Sequence, residues 1–154
     1  MEMPKSTEQH RKLQTLAGTW TGEETMFPSP WDPQGGKATG RIVSRIEVDG
    51  FFLISDYVQE RGGHPSYRGH GVFGWDGDQK RYTMHWFDAM CAPSAEPAKG
   101  TWEGNRLVFQ HQSPMGHGRL TYDFQGEGRY AFRMEHSEDG SKWTTFLESV
   151  YTRK

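Results

Sequence analysis

Alternation of apolar and polar side chains restricts the fold of this chain more than any other feature. From residue 19 onward, apolar side chains recur at every second position, as Tyr82, Met84 and Trp86 do between polar neighbours. A period of two indicates β-strands with one buried and one solvent-exposed face. We predict ten strands, at residues 19–27, 38–48, 51–60, 66–75, 80–88, 98–103, 105–112, 118–125, 129–136 and 142–152.

Short turns between these segments determine how the strands connect. Asp49-Gly50, Asp76-Gly77 and Asp139-Gly140 are dipeptides typical of tight β-hairpins. No connection is long enough to hold a crossover helix, so consecutive strands pair antiparallel. Closing such a meander removes its open edges. The sequence therefore predicts an all-β fold, an antiparallel up-and-down β-barrel of about ten strands, with a two-sheet sandwich as the alternative.

A short N-terminal helix is predicted at residues 6–17. Ser6 is suited to cap it, Leu13 and Leu16 form an apolar stripe, and Gly18 ends it. We expect this helix to pack against or plug one end of the barrel. The chain, residues 1–154, is then predicted to be a single domain with its barrel at residues 19–152.

The parity of the turns predicts an open end on the barrel. Successive connections of a meander fall alternately at its two ends, and one end receives only short turns. The other end receives longer segments rich in proline and glycine, which we expect to frame a mouth. These segments are residues 28–37, 61–66, 88–98 and 113–118. A short turn at residues 138–140 lies at the same end. Barrels of this size either fill with side chains or hold one small ligand.

Composition and charge exclude several classes of protein. The net charge of -2 provides no basic surface for nucleic acid. The sequence has no apolar run long enough to cross a membrane and no apolar segment of a secretory signal after Met1. Its one cysteine, Cys91, cannot form an internal disulfide, and no neighbouring cation activates the thiol. We therefore expect a cytoplasmic protein with neither nucleic acid nor membrane as a partner.

Several segments resemble a known family. LAGTWTG at residues 16–22 resembles the first-strand signature of lipocalins and other calycins. A bacterial family of calycin-like barrels, known only as a domain of unknown function, is similar to YRGHGVFGWDGDQKRYTMHWFDAM (67–90), GTWEGNRLVF (100–109) and ESVYTRK (148–154). The resemblance implies a barrel. Because lipocalins and fatty-acid-binding proteins hold apolar or amphipathic small molecules, it also implies a ligand of that class.

The last strand departs from two better-known relatives. Fatty-acid-binding proteins hold a carboxylate with an Arg-x-Tyr motif, whereas this chain has the order Tyr151-Thr152-Arg153. Haem-binding barrels of the nitrobindin type carry their axial histidine on the last strand, and residues 142–154 contain none. The resemblance therefore carries neither a carboxylate clamp nor a haem ligand to this strand, and we predict no cofactor and no metal.

Aromatic residues and methionines occupy the inward positions of the predicted strands. Linings of this kind adapt to varied apolar ligands. We expect a small hydrophobic or aromatic ligand to enter between the loops around Trp31, Met90 and Met115. The predicted ligand-binding residues are Trp20, Trp31, Tyr82, Met84, Trp86, Asp88, Phe109, His111, Tyr122, Phe132, Met134 and His136.

Two alternatives stay open beside ligand binding. Asp88, His111 and His136 end strands at the mouth with inward parity, so they are candidates for an acid–base or metal-assisted enzyme site. Their spacing matches no known metal motif, and rim residues bonded to loops and water explain the same pattern. The other alternative is a filled barrel that pairs with a second copy, as a homodimer, through Trp31 or Trp143.

Overall fold

The computed structural model describes residues 1–90 and 96–154, and the predicted inert thiol of Cys91 lies outside these ranges. A helix, α1, spans Glu8–Lys12 and continues as a 3₁₀ turn at Leu13–Leu16. Ten strands follow where the alternation begins. They are β1 Gly18–Met26, β2 Gly36–Glu47, β3 Phe52–Arg61, β4 His64–Asp76, β5 Arg81–Asp88, β6 Ala98–Glu103, β7 Arg106–Ser113, β8 Gly116–Phe124, β9 Arg129–Ser137 and β10 Thr144–Arg153.

The strands close into one antiparallel barrel. Each strand pairs with its neighbours in chain order, and β1 pairs with β10 to complete the circle. In that closing ladder Trp20 stands opposite Arg153 and Met26 stands opposite Leu147. The predicted up-and-down barrel is confirmed, and the sandwich alternative is wrong because the ten strands form one closed sheet.

The N-terminal helix differs from its prediction in length and in its cap. It begins at Glu8 after Thr7, not at Ser6, because the Thr7 amide donates to Nδ1 of His10 over 3.0 Å. Its second half tightens into the 3₁₀ turn. The predicted helix at residues 6–17 is therefore two short pieces.

The helix plugs one end of the barrel. Leu13 and Leu16 are 1% and 4% exposed and belong to the barrel core. The Tyr82 hydroxyl donates to the carbonyl oxygen of Gln9 over 2.7 Å, and Trp20 Nε1 donates to the carbonyl oxygen of Leu16 over 3.0 Å. These bonds fix the plug to strands β5 and β1. No helix in the described ranges is long and apolar enough to cross a membrane.

The mouth has fewer long connections than predicted. Only Gly62 and Gly63, both with positive φ, join β3 to β4, and only Pro114 and Met115 join β7 to β8. The ladders there continue past the point where the side chains stop alternating, so residues 61–66 and 113–118 form tight hairpins. The connection from β1 to β2 is long as predicted, whereas the β9–β10 connection, residues 138–143, is longer than the short turn we predicted.

The closed half of the barrel is filled with rings. Trp20, Tyr82, Phe109 and Tyr130 are at most 1% exposed, and the Trp20 and Tyr130 ring centroids lie 4.7 Å apart. Burying such rings supplies most of the apolar contact area of a core this poor in aliphatic residues. Any space for a ligand must therefore lie in the half near the mouth.

Candidate functional site

A cavity of about 220 Å³ opens at the mouth of the barrel. Met26, Leu120 and Met134 form its apolar inner wall from strands β1, β8 and β9, with the ring of Phe146 beside them. Met26 and Leu120 are buried positions of their strands, and Met134 stands opposite Leu120 and so shares its face. The remaining lining residues are Phe27, Ser29, Trp31, Asp32, His111, Gly118, Arg119, Glu135 and His136.

Two histidines face the cavity on either side of a glycine. His111 on β7 and His136 on β9 both pair across the sheet with Gly118 on β8. A Cβ atom at Gly118 would overlap the His111 ring, so the absence of a side chain makes room for this imidazole. Although His111 is exposed overall, partial burial of its ring, followed by the nearby His136 and His117, lowers its pKa below the ordinary 6.5. A neutral His111 offers one N–H donor and one acceptor to a ligand.

Trp31 stands at the rim of the cavity. Its side chain is 55% exposed, yet its ring meets His136 edge-on at a centroid distance of 5.1 Å and lies 5.8 Å from Phe146. The next residue, Asp32, forms an ion pair with Nη2 of Arg61 over 2.7 Å. Hydrogen bonding to Arg61 lowers the pKa of Asp32. We call this ion pair the latch, because it ties the β1–β2 loop to β3.

A buried carboxylate, which our sequence analysis missed, lies below the cavity. Glu24 on β1 is 0% exposed. It accepts hydrogen bonds from the Tyr57 hydroxyl at 2.6 and 2.7 Å, from Nε2 of Gln59 at 3.0 Å, and from the Tyr151 hydroxyl. A Cβ atom at Gly40 would overlap the carboxylate, so this glycine leaves the space that Glu24 fills. The signal was present in the sequence, because Glu24 shares the inward parity of Trp20.

Asp88 forms a second interior contact, on the β5 wall. Its Oδ2 accepts from the Tyr67 hydroxyl over 2.5 Å and from Trp86 Nε1 over 2.9 Å, while Oδ1 accepts from the Met90 amide over 2.9 Å. Burial, followed by the hydrogen bond to Asp88, raises the pKa of Tyr67, so this phenol stays protonated and donates. Asp88 is thus held by its own neighbours.

The structure brings together only two of the three candidate catalytic residues. His111 and His136 share the cavity, whereas Asp88 lies on β5 and is not part of its wall. Within residues 1–90 and 96–154, no group of three His, Cys, Asp or Glu side chains is placed to hold a metal ion. The three residues of the enzymatic alternative are therefore not gathered at one site.

The predicted binding residues divide between the cavity and the core. Trp31, His111, Met134 and His136 line the cavity. The other aromatic and methionine positions form one hydrophobic cluster below it. In that cluster Trp20, Tyr82, Met84 and Phe109 are buried, and Trp86, Tyr122 and Phe132 are partly buried. The structure therefore places those seven residues in the hydrophobic core and not in the wall of the cavity.

Comparisons with known proteins match the chain over nearly its whole length. A family described as "Protein of unknown function (DUF1579)" matches residues 5–153. The crystal structure of Rv2717c from M. tuberculosis is 13% identical in sequence with a TM-score of 0.71, and the match covers 96% of this chain and 98% of that one. An S-type phycobiliprotein lyase, CPES, from Guillardia theta is 8% identical with a TM-score of 0.70, covering 96% and 93%. No protein with a curated description matches the sequence. At such low identity the two structures show a shared barrel fold.

Proposed function

The chain belongs to the DUF1579 family of proteins of unknown function, and from the geometry of its mouth we propose that it binds a small apolar or aromatic molecule there. One observation carries the proposal: an apolar cavity of about 220 Å³ opens at the mouth above a cluster of buried aromatic rings. Pockets with apolar walls and a few convergent polar groups are the usual sites for small molecules. We also propose that the protein is cytoplasmic, because its single cysteine cannot form an internal disulfide.

The volume of the cavity limits the size of the ligand. An apolar cavity of about 150 Å³ is large enough to bind benzene. The cavity of about 220 Å³ therefore suits one aromatic ring with a short substituent. Sites for drug-sized molecules begin at about 300 Å³, so a larger ligand requires the β1–β2 loop with Trp31 to move outward.

The two histidines give the bound molecule an orientation. Its ring lies against Met26, Leu120 and Met134, where it loses contact with water. Its polar end points to His111 and His136 at the rim, which supply a donor and an acceptor. Burial of the ring supplies the affinity at about 25 cal/mol per Å² of apolar surface, and the imidazoles select the polar substituent.

Methionine-methyl NMR with benzyl alcohol as the probe tests this proposal. We expect the methyl signals of Met26 and Met134 to shift on titration, while exposed Met1 stays unchanged. Met134→Trp fills the cavity and should abolish binding. Arg133→Trp introduces the same side chain one residue away, on the outer face of β9, and should leave binding intact. Native mass spectrometry of freshly purified protein then looks for a co-purified molecule of similar size.

The proposal is wrong if benzyl alcohol shifts no cavity methionine, or if both tryptophan variants bind it equally well. Equal binding would place the probe on the outer surface of the barrel.

A further inference from the structure

The charges around the cavity are unevenly balanced. Asp32 is paired with Arg61 at 2.7 Å, and Glu135 is paired with Arg119 through two contacts of 3.0 Å. Glu24 has no such partner: in residues 1–90 and 96–154, no lysine or arginine nitrogen lies within 4.0 Å of its carboxylate. The two ion pairs cancel, so the uncompensated charge next to the cavity is negative.

All the side-chain hydrogen bonds of Glu24 are donated to it by its neighbours, as an ionised carboxylate requires. Tyr57, Gln59 and Tyr151 all donate to its two oxygens, and an ionised carboxylate is a group that only accepts. Burial, followed by the negative charge of Glu24, raises the pKa of both Tyr57 and Tyr151. Both phenols therefore stay protonated and continue to donate. These bonds replace the water that Glu24 loses, but none of them supplies a positive charge.

This anion lies one side chain away from the cavity. Met26 lines the cavity and follows Glu24 by two residues on the same face of β1, a separation of about 7 Å along a strand. Gln59 connects the two, because its Nε2 donates to Glu24 over 3.0 Å and to the sulfur of Met26 over 3.8 Å. No solvent layer screens the charge over this path, since Glu24 is 0% exposed.

The aromatic residues of the cavity also favour a positively charged ligand. Phe27, Trp31 and Phe146 all line the cavity. The faces of aromatic rings attract cations. His111, whose pKa partial burial lowers, presents a neutral imidazole and so adds no positive charge near neutral pH.

We propose that Glu24 is the specificity-determining residue of this cavity, which accepts neutral molecules, binds small organic cations best, and rejects carboxylates of the same size. The inference rests on the proposed function, since it assigns the charge of the ligand bound at the same site. It separates this barrel from barrels that hold a carboxylate with an arginine. The charged end of the ligand lies at the rim, farther from Glu24 than Met26 is, and even at about 12 Å, with an effective dielectric constant of about 20, a unit charge changes the binding constant by about tenfold.

Three probes of one size test the inference: benzylammonium, benzyl alcohol and phenylacetate, each titrated by methionine-methyl NMR near neutral pH. For the natural sequence we expect benzylammonium to bind at least about tenfold more tightly than phenylacetate, with benzyl alcohol between them. The ratio should persist at about 1 M salt, because screening by salt acts weakly on a buried charge.

Glu24→Gln should reduce the ratio of the benzylammonium and phenylacetate affinities to near one, while the affinity for benzyl alcohol stays unchanged. The matched control is Glu23→Gln, the same change in net charge on the outer face of β1, where Glu23 pairs with Lys37 over 3.6 Å. This control should keep the full ratio. If Glu24→Gln fails to fold, the ratio of the natural sequence at low and high salt still decides the matter.

The outcomes separate this inference from the proposed function. If none of the three probes binds, the proposed function is wrong and the inference falls with it. If benzyl alcohol binds but phenylacetate binds as tightly as benzylammonium, only the charge preference is wrong. A ratio that Glu23→Gln changes as much as Glu24→Gln does, or that salt removes, also overturns the role of Glu24.

Discussion

At the scale of single residues, the Tyr151 hydroxyl on β10 donates to Glu24 on β1 and so joins the last strand to the first. Our sequence analysis predicted no carboxylate clamp for a ligand in this segment, and the phenol is in fact used by a carboxylate of the protein itself. Arg153, two residues later, stacks over Trp20 with its guanidinium carbon 4.5 Å from the ring centroid. Both side chains of the motif therefore serve the barrel.

Removing the Tyr151 hydroxyl should destabilise the protein. Tyr151→Phe leaves a buried carboxylate with one donor fewer, which costs about 1–3 kcal/mol in the free energy of unfolding. The matched control is Tyr122→Phe, because the Tyr122 hydroxyl forms no hydrogen bond with any described residue. Urea unfolding followed by circular dichroism measures both variants. Equal effects of the two substitutions would contradict the role of this bond.

The stability of the protein should also depend on pH through His111. Its pKa lies below 6.5 in the folded state, so the unfolded chain takes up a proton first as the pH falls. Stability contributed by the neutral imidazole is present above the unfolded pKa and decreases as the pH drops below it. We expect His111→Gln to lose less stability than the natural sequence between about pH 7.5 and about pH 5.5.

Exposed His85 provides the control for that comparison. His85→Gln should reproduce the pH dependence of the natural sequence in urea unfolding. If His111→Gln shows the same dependence as this control, the histidine at the mouth does not contribute in the way its environment indicates.

At the scale of elements, the sequence predicted which segments form strands better than where those strands end. Alternation located all ten, because a side chain on a half-buried sheet must match its face. It missed that β3 and β4 run on to Arg61 and His64, because backbone pairing there continues without a buried face. Glu24 was missed for a related reason. The hydrogen-bond donors that explain an acidic residue at this inward position lie on β3 and β10, which are distant from it in the sequence.

Breaking the latch should loosen the loop that carries Trp31. Arg61→Gln removes the 2.7 Å ion pair with Asp32, which ties residues 28–35 to β3. We expect faster amide hydrogen exchange in residues 28–35 and little change in global stability, because a partly exposed ion pair contributes at most about 1 kcal/mol. Arg45→Gln removes an exposed pair with Asp56 and is the control. Unchanged exchange in residues 28–35 would show that other contacts hold the loop.

At the scale of the whole molecule, the barrel is filled at one end and open at the other. The inward positions of aromatic residues predicted an interior made of rings, and the structure places those rings in one cluster. The sequence did not reveal how much space they leave, because that depends on where each ring lies. Trp86 lies against Gly69 and Phe109 lies against Gly100, at positions where a Cβ atom would overlap the ring. Such ring placements follow from packing in three dimensions.

Closure of the barrel should make unfolding cooperative. Because each strand pairs on both sides and the 3₁₀ turn after α1 shares the same core, no element can leave without breaking contacts in its neighbours. We expect near-ultraviolet circular dichroism, which reports on the packed rings, and far-ultraviolet circular dichroism, which reports on the sheet, to give the same urea midpoint. Two separate midpoints would show that the plugged end and the mouth unfold independently.

Because Trp31 lies at the cavity in edge-on contact with His136, its fluorescence should report whether a ligand is bound there. Of the six tryptophans, Trp31 is the one that lines the cavity. A molecule that enters beside it displaces water from an indole whose fluorescence depends on its surroundings. With the other five tryptophans replaced by phenylalanine where the fold tolerates the change, the remaining emission would follow binding in real time and without a label.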